Sequence, residues 1–331
     1  MGSGEGRTMI DERWEVQFDR KLGEGGFGSV FLGRDTRDAV DCAAKKVRLS
    51  DTRDREAFKS EHQVLMRVHD HASIISVLGD ATTEFDAYLF LELATGGELF
   101  DRLEQGVLSE GAAWPYFKAM TLAVEHCHSR GIAHRDLKLE NVMLVADDPH
   151  AIRLIDFGLA VQLRLTPDGQ IDPTDRRQDI VGTKSYGAPE MLTRNYDATK
   201  IDIWSLGIVL FTLCAGFFPL EEAKLDSDWR FRKLVAEQQA GGGSCEAIFR
   251  MYQRACPFSE PLKDLIDAML RIDPDARPGI TVIAAHPWLL SVPAPLPVYR
   301  GSYRSLGATN NNASPPDGAP PIERQRARRL A

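Results

Sequence analysis

The stretch Ala133–Asn141, with the sequence AHRDLKLEN, places an acid, a lysine and an amide at fixed spacing. The tripeptide Asp156–Gly158, DFG, follows closely after it. Together they supply a proton acceptor, a phosphate-side cation and two side chains that can bind Mg²⁺, which are the groups that phosphoryl transfer requires. Either tripeptide alone would be a weak signal. Both in this order, with the lysine and asparagine at these offsets, predict a phosphoryl-transfer site rather than a polar turn beside a core strand.

A glycine-rich segment, Gly23–Val30, reads GEGGFGSV. Glycines let backbone N–H groups approach phosphate oxygens without a Cβ in the way. The GxGxxG pattern could also indicate a dinucleotide-binding fold. Here, however, a strand-like VFL run follows instead of a helix, and Ala43–Val47 then forms a strand whose lysine can reach the phosphates.

Lys45 and Lys46 are adjacent, so strand alternation directs them to opposite faces of the sheet. The spacing from the glycines and the preceding Ala43 favour Lys45 as the inward lysine, which leaves Lys46 in solvent. A buried lysine needs an acidic partner. Glu61 is the predicted partner because apolar residues follow it at core-facing helical offsets, and Glu56 is the alternative.

Composition predicts a soluble globular protein, since 43% of the residues are apolar and 27% are charged. The formal net charge of −8, with no long basic run in the predicted folded part, argues against nucleic acid as the main partner. Five scattered cysteines indicate a reducing compartment, expected to be the cytoplasm with the nucleus as an alternative. No signal peptide is recognised. The longest apolar stretch, Ile201–Gly216, is too short to span a bilayer, so we expect a buried helix and no membrane partner.

Short apolar runs punctuated by Gly and Asp, interrupted by one helix near residues 53–68, predict a twisted antiparallel sheet in the first part of the chain. Helical patterns dominate from Gly96 onward. A sheet followed by helices predicts an α+β fold with two unlike lobes, and the Gly-rich start and Pro-rich end predict disordered flanks. The predicted division is a flexible leader at 1–13, an N-lobe at 14–92, a hinge at about 92–97, a C-lobe at 98–290 and a disordered tail at 291–331.

This set of motifs resembles the eukaryotic-type protein kinases over about Trp14–Leu290, which implies a bilobal kinase fold. The lysine two residues after Asp136, Lys138, matches the pattern of the serine/threonine class of these kinases. The segments Tyr88–Glu92 and Gly96–Phe100 resemble the calcium/calmodulin-dependent kinase group, with its checkpoint and AMP-activated branches. Further matching positions are Ala188-Pro189-Glu190, Asp202–Gly207 and Arg277.

The resemblance implies ATP-dependent phosphoryl transfer to serine or threonine hydroxyls of protein substrates. Asp136 would accept the hydroxyl proton and orient the attacking oxygen, and Lys138 would stabilise charge on the γ-phosphate. Asn141 and Asp156 would hold Mg²⁺ through the hard oxygen ligands that this ion prefers. Lys45 would align the α- and β-phosphates.

The predicted ATP site extends beyond these groups. Val30 and Ala43 should sandwich the adenine, Leu91 should guard the back of the pocket, and the backbone of Glu92 and Ala94 should meet the adenine edge. For the apolar positions, ordinary core packing is the alternative. The residues predicted for the ATP site are Leu22, Gly23, Gly25, Gly28, Val30, Ala43, Lys45, Glu61, Leu91, Glu92, Ala94, Glu98, Glu140, Asn141 and Asp156.

Two members of that set, Glu98 and Glu140, also match family positions that contact basic residues upstream of the target hydroxyl. They imply a preference for Arg or Lys three residues before the serine or threonine, and two ordinary surface acids are the alternative.

In such kinases the arginine before the catalytic aspartate binds a phosphothreonine of the activation segment, which here is the part of the chain between Asp156 and Glu190. Here that arginine is Arg135, and Asp179 occupies the phosphothreonine position. We predict that the two side chains pair and hold the segment partly active without an upstream kinase. Thr166 and Thr174 remain candidate phosphorylation sites in the same segment.

The resemblance also implies structural roles. Glu190 and Arg277 should form a buried ion pair. The side chains expected to stack between the lobes are Leu65, Leu78, His134 and Phe157.

The chain departs from the family pattern in places. Lys184 stands where proline is usual after Gly-Thr, and Leu139 stands where proline is common after the catalytic lysine. Residues 221–256 are longer than the family norm, which indicates a variable loop or a partner surface. Two other functions are conceivable: a pseudokinase scaffold that binds nucleotide or partners without transfer, and a metabolic small-molecule kinase. The catalytic groups argue against the first, and the Ala188–Glu190 framework argues against the second.

Overall fold

The computed structural model describes residues 6–25, 28–104, 106–146 and 148–291. The first five residues of the predicted leader, and the predicted tail beyond Ser291, lie outside the described residues. The predicted fold class is confirmed: an antiparallel sheet with one long helix is joined to a larger helical lobe.

A six-stranded antiparallel sheet forms the N-lobe. Its strands are β1 (Arg7–Met9), β2 (Trp14–Gly25), β3 (Gly28–Asp35), β4 (Val40–Arg48), β5 (Val77–Thr82) and β6 (Asp86–Glu92). The order across the sheet is β1-β2-β3-β4-β6-β5. Strand β6 therefore lies inside the sheet, between β4 and β5, and β5 forms an edge.

Strand β1 corrects the prediction of a disordered leader over residues 1–13. Arg7 pairs with Gln17 and Met9 pairs with Glu15, so the described end of the leader adds an edge strand to β2. All three residues of β1 are exposed. Sequence patterning missed the strand because an edge strand is held by backbone hydrogen bonds and needs no apolar side chains.

Strand alternation divides the N-lobe side chains between two clusters. Cys42 and Ala44 of β4 pack against Trp14 and Phe90 on the outer face of the sheet. The rings of Trp14 and Phe90 stack there, with 4.1 Å between their centroids. Lys45 points to the inner face, which is continuous with the main core. The two faces therefore have separate tasks: the outer one stabilises the sheet, and the inner one carries functional side chains.

The same alternation corrects one predicted member of the interlobe stack. Leu78 packs against the outer cluster, whereas its neighbour Val77 packs against the main core. Successive side chains of a strand point to opposite faces, so a prediction that is off by one residue selects a side chain on the wrong face. The other predicted members, Leu65, His134 and Phe157, are buried in the interior.

Helix α1 (Thr52–Val68) crosses the inner face of the sheet. Asp51 begins it with a capping box: its side chain accepts from the backbone N–H of Asp54, and the Asp54 side chain accepts from the backbone N–H of Asp51. The helix buries Phe58, Glu61, Val64, Leu65 and Val68, at the three- and four-residue spacing of one helix face.

Helices and short strand pairs make up the C-lobe. Its elements are α2 (Asp101–Glu104), α3 (Glu110–Ser129), β7 (Ile132–Ala133), β8 (Val142–Val145), β9 (Asp148–Leu154), β10 (Val161–Gln162), α4 (Ala198–Ala215), α5 (Trp229–Gln239), α6 (Ser244–Met251), α7 (Glu260–Met269), α8 (Ile280–Ala284) and α9 (Pro287–Leu290). Strand β7 pairs with β10, and β8 pairs with β9.

Helix α4 is the central element of the C-lobe. It begins before the apolar stretch that was expected to be too short to span a bilayer, and its 18 residues make it the one helix of the described residues that is long and apolar enough to do so. However, 89% of it is buried inside the protein, as predicted for this stretch. The Asp197 side chain caps its first turn, and Gly216 ends it with a φ of 75°. The segment at 221–256 is not an irregular loop, because it contains α5 and α6 with buried apolar faces.

Candidate active site

The carboxylate of Asp136 lies at the centre of a hydrogen-bond network between β7 and β8. Lys138 Nζ donates to Asp136 Oδ2 at 2.7 Å, and Thr183 Oγ1 donates to Asp136 Oδ1 at 2.9 Å. Asn141 Nδ2 donates to Oδ2 at 3.1 Å and to the Asp136 carbonyl at 2.8 Å. The acid, the lysine and the amide of the opening motif thus meet at one carboxylate, together with a threonine from a distant part of the chain.

Asp202 of α4 fixes the backbone that carries this network. Its fully buried carboxylate accepts from the N–H groups of His134 and Arg135, at 2.9 and 2.8 Å. His128 Nε2 lies 2.8 Å from the same carboxylate. Sequence reasoning placed Asp202 in the family framework but gave no role to His128, since nothing in the sequence links residues so far apart.

The His134 ring connects the catalytic loop, residues 134–141, to the DFG segment, Asp156–Gly158. It meets the Phe157 ring edge-on, with 4.7 Å between centroids. His134 Nδ1 accepts from the Asp136 N–H at 3.3 Å, which leaves Nε2 to donate to the Ile155 carbonyl at 3.2 Å. The ring is therefore held on both sides, and it fixes Asp136 relative to Phe157.

Two residues of the site have left-handed backbone conformations that are unusual for residues other than glycine. The φ angle is 64° at Arg135 and 60° at Asp156. Such conformations persist where the surrounding bonds over-determine them, and they cluster at functional sites. Here they direct the Arg135 side chain to Asp179 and the Asp156 side chain to Lys45.

Lys45 lies across the cleft, and its amine contacts two carboxylates. Nζ lies 2.5 Å from Glu61 Oε1 and 3.1 Å from Asp156 Oδ1. The predicted Lys45–Glu61 ion pair is thus present, whereas the alternative partner, Glu56, is exposed. Lys46 lies on the other face of β4, with its amine 3.0 Å from Asp86.

Electrostatics favour the charged forms of Lys45 and Asp156, whereas burial raises the pKa of Glu61 above its ordinary value despite the nearby Lys45 amine. Burial would lower the pKa of Lys45, but the carboxylates of Glu61 and Asp156 outweigh it and raise the pKa above its ordinary value. Burial would likewise raise the pKa of Asp156, but the Lys45 amine lowers it below its ordinary value. The cleft therefore presents an ammonium group beside a charged carboxylate, which suits a triphosphate accompanied by a cation.

Val30, Ala43 and Leu91, three of the residues predicted to surround the nucleotide, share the inner face of the sheet with Lys45. Gly23 pairs with Val30 across the hairpin of β2 and β3, and Val30 in turn pairs with Lys45. Ala43 pairs with Leu91. Three further predicted residues follow the same part of the chain. Leu22 lies half-exposed in β2, Glu92 ends β6, and Ala94 lies in the irregular segment that was predicted to be the hinge.

The glycine-rich hairpin needs glycine for steric reasons. Gly25 pairs with Gly28 where the hairpin closes. Gly28 has a φ of 133°, and a Cβ there would lie 2.0 Å from the Lys46 carbonyl oxygen. A side chain at this position would push the hairpin away from β4, so the glycine keeps the two strands close.

Mg²⁺ is the metal that the fold family implies, and the donor set fits it. Asp156 offers a charged carboxylate. Asn141 turns its amide nitrogen to Asp136, so that its carbonyl oxygen faces away from that carboxylate. Carboxylate and amide oxygens are the hard ligands that Mg²⁺ prefers.

The activation segment approaches the catalytic loop at Gly182. Its φ is 86°, and a Cβ there would lie 2.7 Å from the Arg135 carbonyl oxygen. Glycine therefore allows the contact that brings the next residue, Thr183, to Asp136. Ser205 of α4 holds the other end of this turn by donating to the Tyr186 carbonyl at 2.9 Å.

Arg135 and Asp179 form the predicted contact. Arg135 Nη1 donates to both carboxylate oxygens of Asp179, at 2.9 and 2.7 Å, and Tyr196 OH donates to Oδ1 at 3.1 Å. Burial would raise the pKa of Asp179, but Arg135 lowers it below its ordinary value. The aspartate is thus a charged ligand of the arginine that precedes Asp136.

Glu140 and Glu98 lie apart from the Lys45 cluster. Glu140 Oε2 accepts from Tyr186 OH at 3.1 Å, whereas its buried Oε1 has no hydrogen-bond partner among the described residues. Burial raises the pKa of Glu140 above its ordinary value, because removal from water disfavours the charged form. Glu98 is close enough to raise this pKa further. A cation at this position would relieve both effects.

Sequence reasoning missed a contact at the hinge. Arg153 Nε donates to Glu92 Oε1 at 2.7 Å and to Oε2 at 2.9 Å, and Arg153 Nη1 donates to the Ala72 carbonyl at 2.7 Å. These bonds join the end of β6 to β9 and to the turn before β5. No motif marks Arg153, so only the tertiary structure shows that it positions a residue of the predicted adenine pocket.

The fold and the site together define a two-lobed architecture whose cleft carries the Lys45 cluster and the Asp136 network. Comparison with known proteins identifies the family. The family described as "Protein kinase domain" matches residues 16–289, so the chain belongs to the protein kinase family. The chain is 35% identical to CBL-interacting protein kinase 11 of Oryza sativa subsp. japonica, over 94% of this chain and 57% of the relative. It is 34% identical to CBL-interacting serine/threonine-protein kinase 13 of Arabidopsis thaliana, over 85% of this chain and 52% of the relative. It thus spans little more than half the length of these curated relatives.

Proposed function

We propose that this protein transfers the γ-phosphoryl group of ATP to serine or threonine hydroxyls of protein substrates. One observation carries the proposal: the Asp136 network and the Lys45–Glu61–Asp156 cluster face the same cleft, as a proton acceptor and a triphosphate clamp must. The serine/threonine kinases among the relatives support it.

The geometry suggests how the residues act. Asp136 accepts the hydroxyl proton and orients the oxygen toward the γ-phosphorus. Lys138, 2.7 Å from Asp136, stabilises negative charge on the transferred group. Lys45, held by Glu61, fixes the α- and β-phosphates. Mg²⁺, held by Asn141 and Asp156, would supply charge neutralisation on the phosphate oxygens.

Within this function we propose a preference for substrates with an arginine or lysine three residues before the target hydroxyl. The support is the buried Oε1 of Glu140, which has no partner among the described residues, and the nearby acid Glu98. A buried carboxylate oxygen without a partner is costly, and an incoming guanidinium would satisfy it.

The first experiment uses two peptides that differ only in Arg or Ala at that position, with radiolabelled ATP and Mg²⁺. We expect the Arg peptide to have the higher kcat/KM. Replacing Glu140 with glutamine should reduce this preference about ten- to hundredfold, because hydrogen bonds to charged groups contribute about 1.5–3 kcal/mol.

Glu84→Gln is the matched control, since Glu84 is exposed in the turn between β5 and β6 of the other lobe. It should leave the peptide preference unchanged. Equal kcat/KM for the two wild-type peptides would reject the basic preference, and transfer to neither peptide would count against the kinase activity itself.

We further propose that Asp179 substitutes for a phosphorylated residue. Its bidentate contact with Arg135 Nη1, supported by Tyr196, provides the anionic ligand that orders an activation segment. Thr183 belongs to the same segment and contacts Asp136, so order in the segment is transmitted to the catalytic carboxylate.

Phosphatase-treated wild-type protein should therefore retain activity, whereas Asp179→Asn should lower kcat/KM roughly two- to fivefold, the effect of losing a partly exposed ion pair. Asp168→Asn is the control, because Asp168 is an exposed acid of the same segment that contacts Thr166 instead of Arg135. Loss of all wild-type activity on phosphatase treatment would show that Asp179 does not replace a phosphate.

We also propose that the chain belongs to the calcium/calmodulin-dependent kinase group, because its segments Tyr88–Glu92 and Gly96–Phe100 resemble that group. The named relatives are CBL-interacting kinases. They lend no support to the checkpoint or AMP-activated branch in particular.

A further inference from the structure

Lys184 follows directly on Thr183, whose hydroxyl lies 2.9 Å from the catalytic carboxylate of Asp136. It opens a short 3₁₀ helix, Lys184–Tyr186. The next two side chains are buried and anchored: Ser185 Oγ donates to the Glu221 carbonyl at 3.0 Å, and Tyr186 OH donates to Glu140. The turn is therefore fixed on both sides of Lys184, whose own side chain is exposed.

The Lys184 side chain has no ion pair or hydrogen bond among the described parts of the chain. This distinguishes it from the other lysines around the site. Lys45 contacts Glu61, and Lys138 contacts Asp136. Because its neighbours are anchored, the amine of Lys184 is attached one residue away from Thr183, which contacts the Asp136 carboxylate.

The position of this charge limits which part of a substrate can face it. A substrate whose hydroxyl reaches Asp136 has its neighbouring residues only about 3.8 Å away along the chain. Upstream basic residues belong beside Glu98 and Glu140, and Lys184 would repel them. The residue next to Lys184 is thus the one that follows the hydroxyl.

We infer that Lys184 selects substrates with an aspartate or glutamate immediately after the phosphorylated serine or threonine. The inference rests on the proposed kinase function and adds a specificity residue to it. The preferred substrate then has two oppositely charged ends, with a basic residue upstream of the hydroxyl and an acidic one directly after it.

The test uses three peptides with the same upstream arginine and with Glu, Ala or Lys directly after the target serine. For the wild-type protein we expect kcat/KM to be roughly two- to fivefold higher for Glu than for Ala, the range for a solvent-exposed charge pair. The Lys peptide should be the poorest. The ratio should shrink as salt is added, because the interaction is screened.

The variant Lys184→Glu should reverse the order, so that the Lys peptide becomes better than the Glu peptide. Lys59→Glu is the matched control, since Lys59 is exposed on α1 in the other lobe, and it should keep the wild-type order. Equal use of the three peptides by the wild type, or the same order in Lys184→Glu, would overturn the inference while leaving the kinase function standing. Transfer to none of the peptides would count against the proposed function instead.

Discussion

Replacing Asp136 with asparagine should lower kcat by about 10²- to 10⁴-fold, the usual contribution of a positioned general base. The carboxylate accepts hydrogen bonds from Lys138, Thr183 and Asn141. An amide has one oxygen for these donors and presents its own N–H₂ group to the others. The variant thus loses the proton acceptor and also disturbs the orientation of the lysine.

The measurement is radiolabelled phosphate transfer to the Arg peptide, with ATP binding followed separately. Asp136→Asn should still bind ATP, because the Lys45 cluster is intact. Asp264→Asn is the control, since that carboxylate is exposed on α7 and contacts only His286 among the described residues. Wild-type protein that binds ATP but transfers no phosphate would identify a scaffold instead of an enzyme.

The second large effect concerns stability. Glu190 and Arg277 form a buried ion pair, with Arg277 Nη2 2.8 Å from Glu190 Oε2 and Nη1 2.5 Å from Oε1. The guanidinium also donates to the Lys200 carbonyl at 3.0 Å and stacks 4.9 Å from the Trp204 ring centre. This cluster ties the end of the activation segment to α4.

Glu190→Ala should lower the free energy of unfolding by about 3–5 kcal/mol, because it leaves a buried guanidinium without its counter-charge. The corresponding fall in Tm is roughly 5–15 °C. Both values can be measured by thermal and urea unfolding.

A matched control separates burial from mere loss of an ion pair. Glu237 also pairs with an arginine, Arg250, at 3.1 Å, but that arginine side chain is 62% exposed. Glu237→Ala should therefore cost at most about 1 kcal/mol. Equal losses in Glu190→Ala and Glu237→Ala would show that the buried pair has no special part in stability.

Much of the candidate site could be predicted because its residues occur in short motifs. The inward direction of Lys45 followed from strand alternation, and its pairing with Glu61 followed from the need of a buried amine for a counter-charge. The contact between Arg135 and Asp179 also matched the expectation. In each case the local pattern and a general electrostatic rule pointed to the same partner.

Other features could not be predicted, for identifiable reasons. Val77, and not Leu78, faces the main core, because two adjacent apolar residues give no indication of which one points inward. Strand β1 has no apolar pattern and depends on backbone pairing with β2. Arg153 contacts Glu92 across a long separation in sequence.

The sequence by itself determined the chemistry of this protein: which acid, which lysines and which amide are available, and that a sheet would precede a helical lobe. Residue type and short-range spacing carry that information because each motif forms within one turn or one strand. Only the tertiary structure decided that Asp202 and His128 support the catalytic loop, that Arg153 holds Glu92, and that Lys184 is exposed without an ion pair or hydrogen bond among the described residues. These contacts join distant segments, and they depend on how the lobes and helices pack rather than on any local pattern.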